Sequence, residues 1–349
     1  MTLPMGDRFG AHRVLEPKGA LPQAAAKLDN DFKRRFANEI VIDVETLNVD
    51  AASFKQIEDS VGGDEREIGR VVMDTVRARG KQHNAVTGSG GMLCGRVREV
   101  GEALVGRTAA KAGDRVATLV SLTLTPLSLD EIVRVHRAAT QIEVRGRAVL
   151  FESGIYAVLP TDMADRLALA ALDVAGAAPQ VARICGPGET VLVSGAGGKS
   201  GVLCCFEARR QVGAGGRVVG IETFAAAADE LRALGLCDAV VAADARDPLA
   251  VRAAALGAND GKEYDRAISC VNVPDAELGL ILATRDRGQI YFFSMTTSFT
   301  RAALGAEGVG KDVDMLIGNG YAHDHAAHTL QILRDAPAIR ALFEKRYAS

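Results

Sequence analysis

The chain has 349 residues, 48% apolar and 24% charged, with 41 Lys and Arg against 44 Asp and Glu for a net charge of -3. That composition describes a globular protein long enough for two domains of about 150 residues each. It excludes a nucleic-acid binder, because Lys33-Arg34-Arg35 is the richest basic cluster and counterion release needs a concentrated basic face.

No run approaches the roughly 18 apolar residues of a membrane span, and the N-terminus lacks the order of a signal peptide, so the expectation is a cytoplasmic chain with no membrane partner. The first 35 residues, rich in Pro, Gly and charge, read as an irregular lead-in. From Asn38 to about Leu150 short alternating runs predominate: Glu39–Val44, Arg96–Val100, Asp114–Val120 and Ala148–Phe151. Turn signals separate them, which predicts a β-rich domain over residues 1–160. One helix interrupts it, because Ile68, Val71, Val72 and Val76 recur at helical spacing between Asp64 and Arg79.

After Pro160 the rhythm becomes strand, helix, strand, and residues 161–349 are predicted as a second domain. A long Ala-rich helix over Leu167–Ile184 leads in. Strands are expected at Thr190–Ser194, Arg217–Ile221, Ala239–Val241, Asp265–Cys270, Gln289–Ser294 and Met315–Gly318, with helices over Gly201–Val212, over Phe224–Leu234 and from Asp247. Strands this apolar must be covered on both faces, so the fold class is α/β with a doubly wound parallel sheet. One or two helices within Ala326–Lys345 close the chain, and the last is free to pack back on the first domain. The six cysteines, Cys94, Cys185, Cys204, Cys205, Cys237 and Cys270, stand among apolar neighbours without metal or disulfide spacing.

The segment Ser194-Gly195-Ala196-Gly197-Gly198-Lys199-Ser200-Gly201 lies between the first strand and first helix of that sheet. A backbone that turns sharply, approaches a ligand closely and opens a tightly packed helix needs glycine at each point, and phosphate then rests on the helix N-terminus. The second strand ends at Glu222 and Thr223, about 21 residues beyond Gly201, where the adenosine ribose of a dinucleotide needs a carboxylate acceptor. A carboxylate there accepts from the 2′-hydroxyl of NAD and repels the 2′-phosphate of NADP, so NAD is the expected cofactor; a strand-end glutamate pointing into solvent is the bland alternative. The glycines at 195, 198 and 201 depart from the strict fingerprint, whose third glycine would fall at Ser200. A nucleoside-triphosphate loop matches Gly198-Lys199-Ser200 but requires glycine at Val193, and is rejected. Lys199 either touches phosphate or is solvated.

The β-rich domain, the Rossmann pattern and the phrase Gly186–Val193 together resemble the zinc-free branch of the medium-chain dehydrogenase/reductase superfamily, with Gly106–Thr118 similar to the closing strands of its GroES-like catalytic domain. Within it, Gly10–Gln23, Thr87–Leu93, Phe151–Pro160, Gly198–Cys205 and Ala303–Lys311 resemble the L-erythro-3,5-diaminohexanoate dehydrogenases of lysine fermentation. The resemblance implies NAD-dependent oxidative deamination of that small diamino acid to 5-amino-3-oxohexanoate with release of ammonium, an active site in the cleft between domains, and a homodimer. A zinc-free quinone or enoyl reductase and a non-catalytic dinucleotide sensor are the competing readings.

Zinc-dependent relatives bind their catalytic metal through Cys, His and carboxylates, whereas the corresponding segment Asn48–Phe54 holds neither Cys nor His. No metal is expected. His323, His325 and His328 cluster in sequence, but their spacing does not put all three on one helical face.

Oxidising an amine requires its ammonium to lose a proton first, so a general base is needed. The superfamily resemblance brings forward Asp173, a carboxylate in an apolar helix where desolvation would raise its pKa, and Glu152, just after an apolar strand. Each is equally readable as a capping or salt-bridged carboxylate. His83, a base by its titration range or a surface histidine, and Ser53 are weaker candidates, with Asp50 and Glu307 behind them. Lys81 either pairs with the substrate carboxylate or is solvated. On the cofactor side, Asn272 and Val273 after the fourth strand and Ser294 and Met295 after the fifth are expected to embrace the nicotinamide. Asn272 also suits a turn before Pro274.

Overall fold

The computed structural model describes residues 2–49, 51–84, 90–294, 296–318 and 320–348, and it divides into two compact units between Asp162 and Met163. The candidates Asp50 and Met295, and the first part of Thr87–Leu93, lie outside the described residues.

The first unit contains β1 (Val14–Glu16), β2 (Lys27–Leu28), β3 (Glu39–Asn48), α1 (Ala51–Ser60), α2 (Glu65–Arg79), β4 (Met92–Val100), β5 (Arg115–Thr118), β6 (Leu127–His136), β7 (Gln141–Phe151) and β8 (Tyr156–Val158). Six of the strands form an antiparallel sheet in the order β6-β7-β3-β4-β5-β8. Its inner face buries Ile40, Ile42, Val44, Leu93, Val97, Ile142 and Val144. The predicted helix is α2, which buries Ile68, Val72 and Val76. Its ends carry the expected chemistry: Asp64 accepts from the amides of Arg66 and Glu67, and Gly80 caps the other end at φ 68°.

The lead-in is mostly loop and turn, as expected, but it is anchored. β1 and β2 pair, and Arg13 is buried in a bidentate contact with Glu39, Nε to Oε1 at 2.8 Å and Nη2 to Oε2 at 2.7 Å. Such a pair forms only when Glu39 on β3 is already placed, so the first residues carry no local pattern that announces it. Helix α1 was also unforeseen, because among its described side chains Phe54 and Ile57 are the buried apolar anchors.

The second unit contains α3 (Asp165–Leu172), α4 (Ala177–Ile184), β9 (Thr190–Ser194), α5 (Lys199–Val212), β10 (Arg217–Ile221), α6 (Ala225–Leu234), β11 (Ala239–Val241), α7 (Pro248–Gly257), β12 (Tyr264–Ser269), α8 (Glu277–Ala283), β13 (Thr284–Phe292), α9 (Phe299–Val309), β14 (Asp314–Ile317), α10 (His325–Asp335) and α11 (Pro337–Phe343), then a terminal turn, Glu344–Ala348. The sheet is wholly parallel in the order β11-β10-β9-β12-β13-β14. Chain direction across the sheet reverses between β9 and β12, and a crevice opens at the carboxyl ends of strands at such a point. β9 is the central strand, with Val191, Leu192 and Val193 fully buried.

The single helix expected over Leu167–Ile184 is two helices, α3 and α4, bent by 48°. Pro179 has no N–H to offer the carbonyl of Ala175, which accepts instead from Thr329 Oγ1 at 2.9 Å. Gly176, just before α4, lets the Gly320 backbone approach closely, since a Cβ there would meet the Gly320 carbonyl oxygen at 2.3 Å. The closing helices α10 and α11 pack on α3 within this unit. Among the described residues no single helix is long and apolar enough to cross a membrane.

Candidate active site

The glycine loop leaves β9 at Ser194 and turns at Gly195, whose φ of 72° is a left-handed conformation. The amides of Gly195 and Ala196 both donate to the carbonyl of Ile221, at 2.9 and 3.0 Å, tying the loop to the end of β10. A Cβ on Gly201 would lie 2.1 Å from the Gly195 carbonyl oxygen, so α5 packs on the loop at a distance only glycine allows. α5 opens at Gly198 without a side-chain cap, which leaves its first amides for an anion.

Beside the loop lies a cavity of about 720 Å³ that brings together Ser194, Gly195, Gly197, Gly198, Glu222, Thr223, Asn272 and Val273. These are predicted cofactor residues from three separate strand ends. Lys199, Ser200, Gly201 and Ser294 are not on its wall. Lys199 pairs with Asp173 at 2.8 Å, while Ser200 is buried at the start of α5. Ser294 Oγ lies 2.8 Å from Thr296 Oγ1, which donates to the Val273 carbonyl at 3.2 Å, so Ser294 supports the Asn272 loop from behind.

Glu222 is buried and does not point into solvent. Its Oε2 accepts from the Gly197 amide at 2.9 Å and its Oε1 from the Phe224 amide at 3.0 Å. Sequence reasoning missed other parts of the wall, among them Phe224, Glu230, Asp244, Arg246 and Arg346. The rule that loops at the carboxyl ends of parallel strands line the crevice could have found Asp244 and Arg246 after β11. No local signal marks Arg346, 149 residues from the loop it touches.

Neither predicted carboxylate sits in the desolvated setting expected of it. Asp173 ends α3, whose buried face is taken by Leu167, Ala168, Ala171 and Leu172. Its side chain is 54% exposed and bonded to Lys199, so it is not desolvated. Glu152 accepts from Asn38 Nδ2 at 3.0 Å and from Arg107 Nη2 at 3.0 Å. The Asn38 bond, with the Arg107 charge behind it, holds that carboxyl below its ordinary value. It braces the sheet in the state opposite to the one expected.

The segment read as solvated is buried instead. Lys81 is fully enclosed and donates through Nζ to the carbonyls of Pro22 and Gln23, at 2.9 and 3.3 Å. Burial and the charge of Arg79 bring its ammonium down to about 8. Gln82 is buried beside it, with Oε1 unmatched, and His83 carries a buried, unmatched Nδ1. Burial, with the charges of Lys81 and Arg79, lowers the His83 pKa. Ser53 is fully buried on α1, and Glu307 is exposed on α9.

The three clustered histidines diverge. His323 pairs with its neighbour Asp324, His325 stacks edge-on against Tyr321, and His328 Nε2 lies 3.0 Å from Glu207 Oε2. Among the described residues no three of His, Cys, Asp and Glu converge as metal ligands.

A doubly wound sheet whose crevice carries a glycine loop and a strand-end carboxylate, in a chain that also has a separate antiparallel domain, is the fold of the medium-chain dehydrogenase/reductases, and that crevice is where such a sheet takes a dinucleotide. The fold is shared with solved structures of an enoyl reductase, CurK (TM-score 0.51, 14% identity, covering 99% of this chain and 85% of that one), and of a quinone oxidoreductase of Pseudomonas syringae (TM-score 0.52, 17%, covering 96% and 88%). It is also shared with a mycobacterial protein complexed with NADPH (TM-score 0.53, 18%, covering 88% of each chain). A family model for the L-erythro-3,5-diaminohexanoate dehydrogenase N-terminal domain matches residues 12–160. The L-erythro-3,5-diaminohexanoate dehydrogenases of Acetoanaerobium sticklandii and Fusobacterium nucleatum are 54% and 51% identical over 342 residues, which cover 98% of this chain and 99% of each relative. This chain belongs to the L-erythro-3,5-diaminohexanoate dehydrogenase family and is an oxidoreductase.

Proposed function

We propose that the protein oxidatively deaminates L-erythro-3,5-diaminohexanoate at C3, with NAD as cofactor, to give 5-amino-3-oxohexanoate and ammonium. The nicotinamide dinucleotide, when bound, supplies the hydride acceptor. Glu222 carries the choice of NAD. Its carboxylate is buried in the wall of the dinucleotide cavity, where a 2′-phosphate would meet a negative charge. The two arginines on that wall are already engaged: Arg246 by Asp244, through bonds of 3.0 and 2.7 Å, and Arg346 by Glu230 and the Gly197 carbonyl. Neither is left without a partner to meet an extra phosphate.

The chain must also take a proton from the substrate ammonium before the C–H bond breaks, so that the nitrogen lone pair can form the iminium, and then activate water for its hydrolysis. His83 is assigned that role on its buried Nδ1, which has no partner among the described residues. Burial and its cationic neighbours lower its pKa, which favours the neutral imidazole, the base form.

The test is NADH formation and ammonium release from the diamino acid by the full chain, with NADP as the competing cofactor. Turnover with NAD is expected. Failure of that reaction, together with NADPH-dependent reduction of a quinone or enone, would establish the reductase reading instead; binding of NADH without any turnover would establish a sensor.

A further inference from the structure

Gly197 is held from two sides by opposite charges. Its amide donates to Glu222 Oε2 at 2.9 Å, and its carbonyl accepts from Arg346 Nη1 at 2.7 Å. Arg346 belongs to the terminal turn that follows α11. Its Nε donates to Glu230 Oε2 at 2.8 Å, and Lys345 Nζ donates to the other oxygen of the same carboxylate at 2.6 Å. The next residue, Tyr347, sets its ring 5.1 Å from the Nζ of Lys199, the first residue of α5. The last turn of the chain thus touches the glycine loop, the start of α5 and α6 together.

A peptide between two glycines has no Cβ to fix its orientation, so the Gly197–Gly198 unit depends on its polar bonds: its N–H donates to the Gly195 carbonyl at 3.1 Å and its carbonyl accepts from Arg346. The direction of that peptide sets how the loop leads into the uncapped first amides of α5, which face a phosphate. We infer that Arg346 is a positioning residue for the dinucleotide: it holds the carbonyl of the Gly197–Gly198 peptide while Glu222 holds the N–H of the peptide before it, and together they fix the loop in the orientation that opens the phosphate site. The inference rests on the reading of this cavity as the cofactor site.

NADH titrations by fluorescence, on the full chain and its variants Arg346→Met, Arg346→Lys and Lys345→Met, test it. Arg346→Met is expected to weaken NADH binding about tenfold, the effect of losing a hydrogen bond from a charged group, and to raise the cofactor KM while kcat at saturating cofactor stays unchanged. Arg346→Lys should fall between, because one ammonium reaches the Gly197 carbonyl or Glu230 but lacks the forked geometry that holds both. Lys345→Met should bind as the wild type does, because Lys345 shares Glu230 without touching the loop.

The clamp is overturned if both folded Arg346 variants bind NADH within twofold of wild type, or if Lys345→Met weakens binding as much as Arg346→Met, which would mark a general charge effect. Should Arg346→Met fail to fold, Arg346→Lys alone decides by the same criterion. No NADH binding by the wild-type chain would overturn the cofactor reading first, and this inference with it.

Discussion

The carboxylate of Glu222 accepts the amide of Gly197 at 2.9 Å, so one side chain at the end of β10 both shapes the glycine loop and lines the cavity beside it. A Cβ on Gly197 would stand 2.9 Å from that same Oε2, which is why the loop keeps glycine there. Loop and acceptor are therefore a single unit, and a substitution at either reports on both.

Replacing Glu222 with Gln keeps one acceptor oxygen for the backbone but removes the negative charge. The NAD-to-NADP ratio of kcat/KM is expected to fall by about tenfold or more, because repulsion of a 2′-phosphate disappears while a charge-assisted bond worth about 1.5–3 kcal/mol is lost on the NAD side. Steady-state kinetics with the two cofactors measure it. An unchanged ratio would remove Glu222 as the discriminator.

Asp173→Asn separates a surface ion pair from a catalytic base. With its side chain 54% exposed and bonded to Lys199, Asp173 contributes at most about 1 kcal/mol to stability. The pH profile of kcat should retain its shape in this variant. In His83→Asn the ionisation on the acid side, which lies below the usual histidine value of 6.5 because burial lowers it, should vanish. A profile that loses that limb in Asp173→Asn would return the role to the carboxylate.

Arg13 and Glu39 are both buried, and removing Glu39 leaves the Arg13 guanidinium enclosed without its counter-charge. Glu39→Ala is expected to cost about 3 kcal/mol, seen as a lower denaturation midpoint in urea. Burial alone would raise the Glu39 carboxyl, but bonds from Arg13 and His12 outweigh it and hold the value below 4.5. A depressed carboxyl stabilises the fold above its unfolded pKa. That part of the stability is lost as pH falls below about 4.5 through the lower folded value, and Glu39→Ala should flatten the loss.

Lys81 gives the opposite slope. Its folded value of about 8 lies under the usual 10.5, so between those limits the unfolded chain binds the extra proton and stability rises with pH. The wild-type chain should gain up to about 3 kcal/mol over that interval relative to Lys81→Met, read from melting temperatures in matched buffers. Parallel curves for the two proteins would show that the ammonium is not confined as its bonds to the Pro22 and Gln23 carbonyls indicate.

The Rossmann half was readable because each of its parts announces itself locally. Val191–Val193 is an apolar run that needs cover on both faces, the Gly195–Gly201 loop follows it at once, and Glu222 closes the next strand at the distance a ribose requires. Burial of single polar side chains was not readable in the same way. Asp173 stands among alanines and leucines in sequence yet faces outward at the end of α3, while Lys81 stands among polar neighbours and is enclosed. Neighbours along the chain tell which elements form; they do not tell which face of an element the rest of the fold covers.

The amino-acid order alone therefore determined the element types, the parallel sheet, the phosphate-binding turn and its strand-end carboxylate, since all of these follow from local periodicity and from glycine's lack of a side chain. The tertiary structure decided which charges meet. Arg346 reaches the Gly197 carbonyl, Arg13 reaches Glu39, and Thr329 takes the Ala175 carbonyl that Pro179 cannot. Each of these contacts joins segments with no shared pattern, and electrostatic and hydrogen-bond partners are selected by proximity in space, which only the packed chain defines.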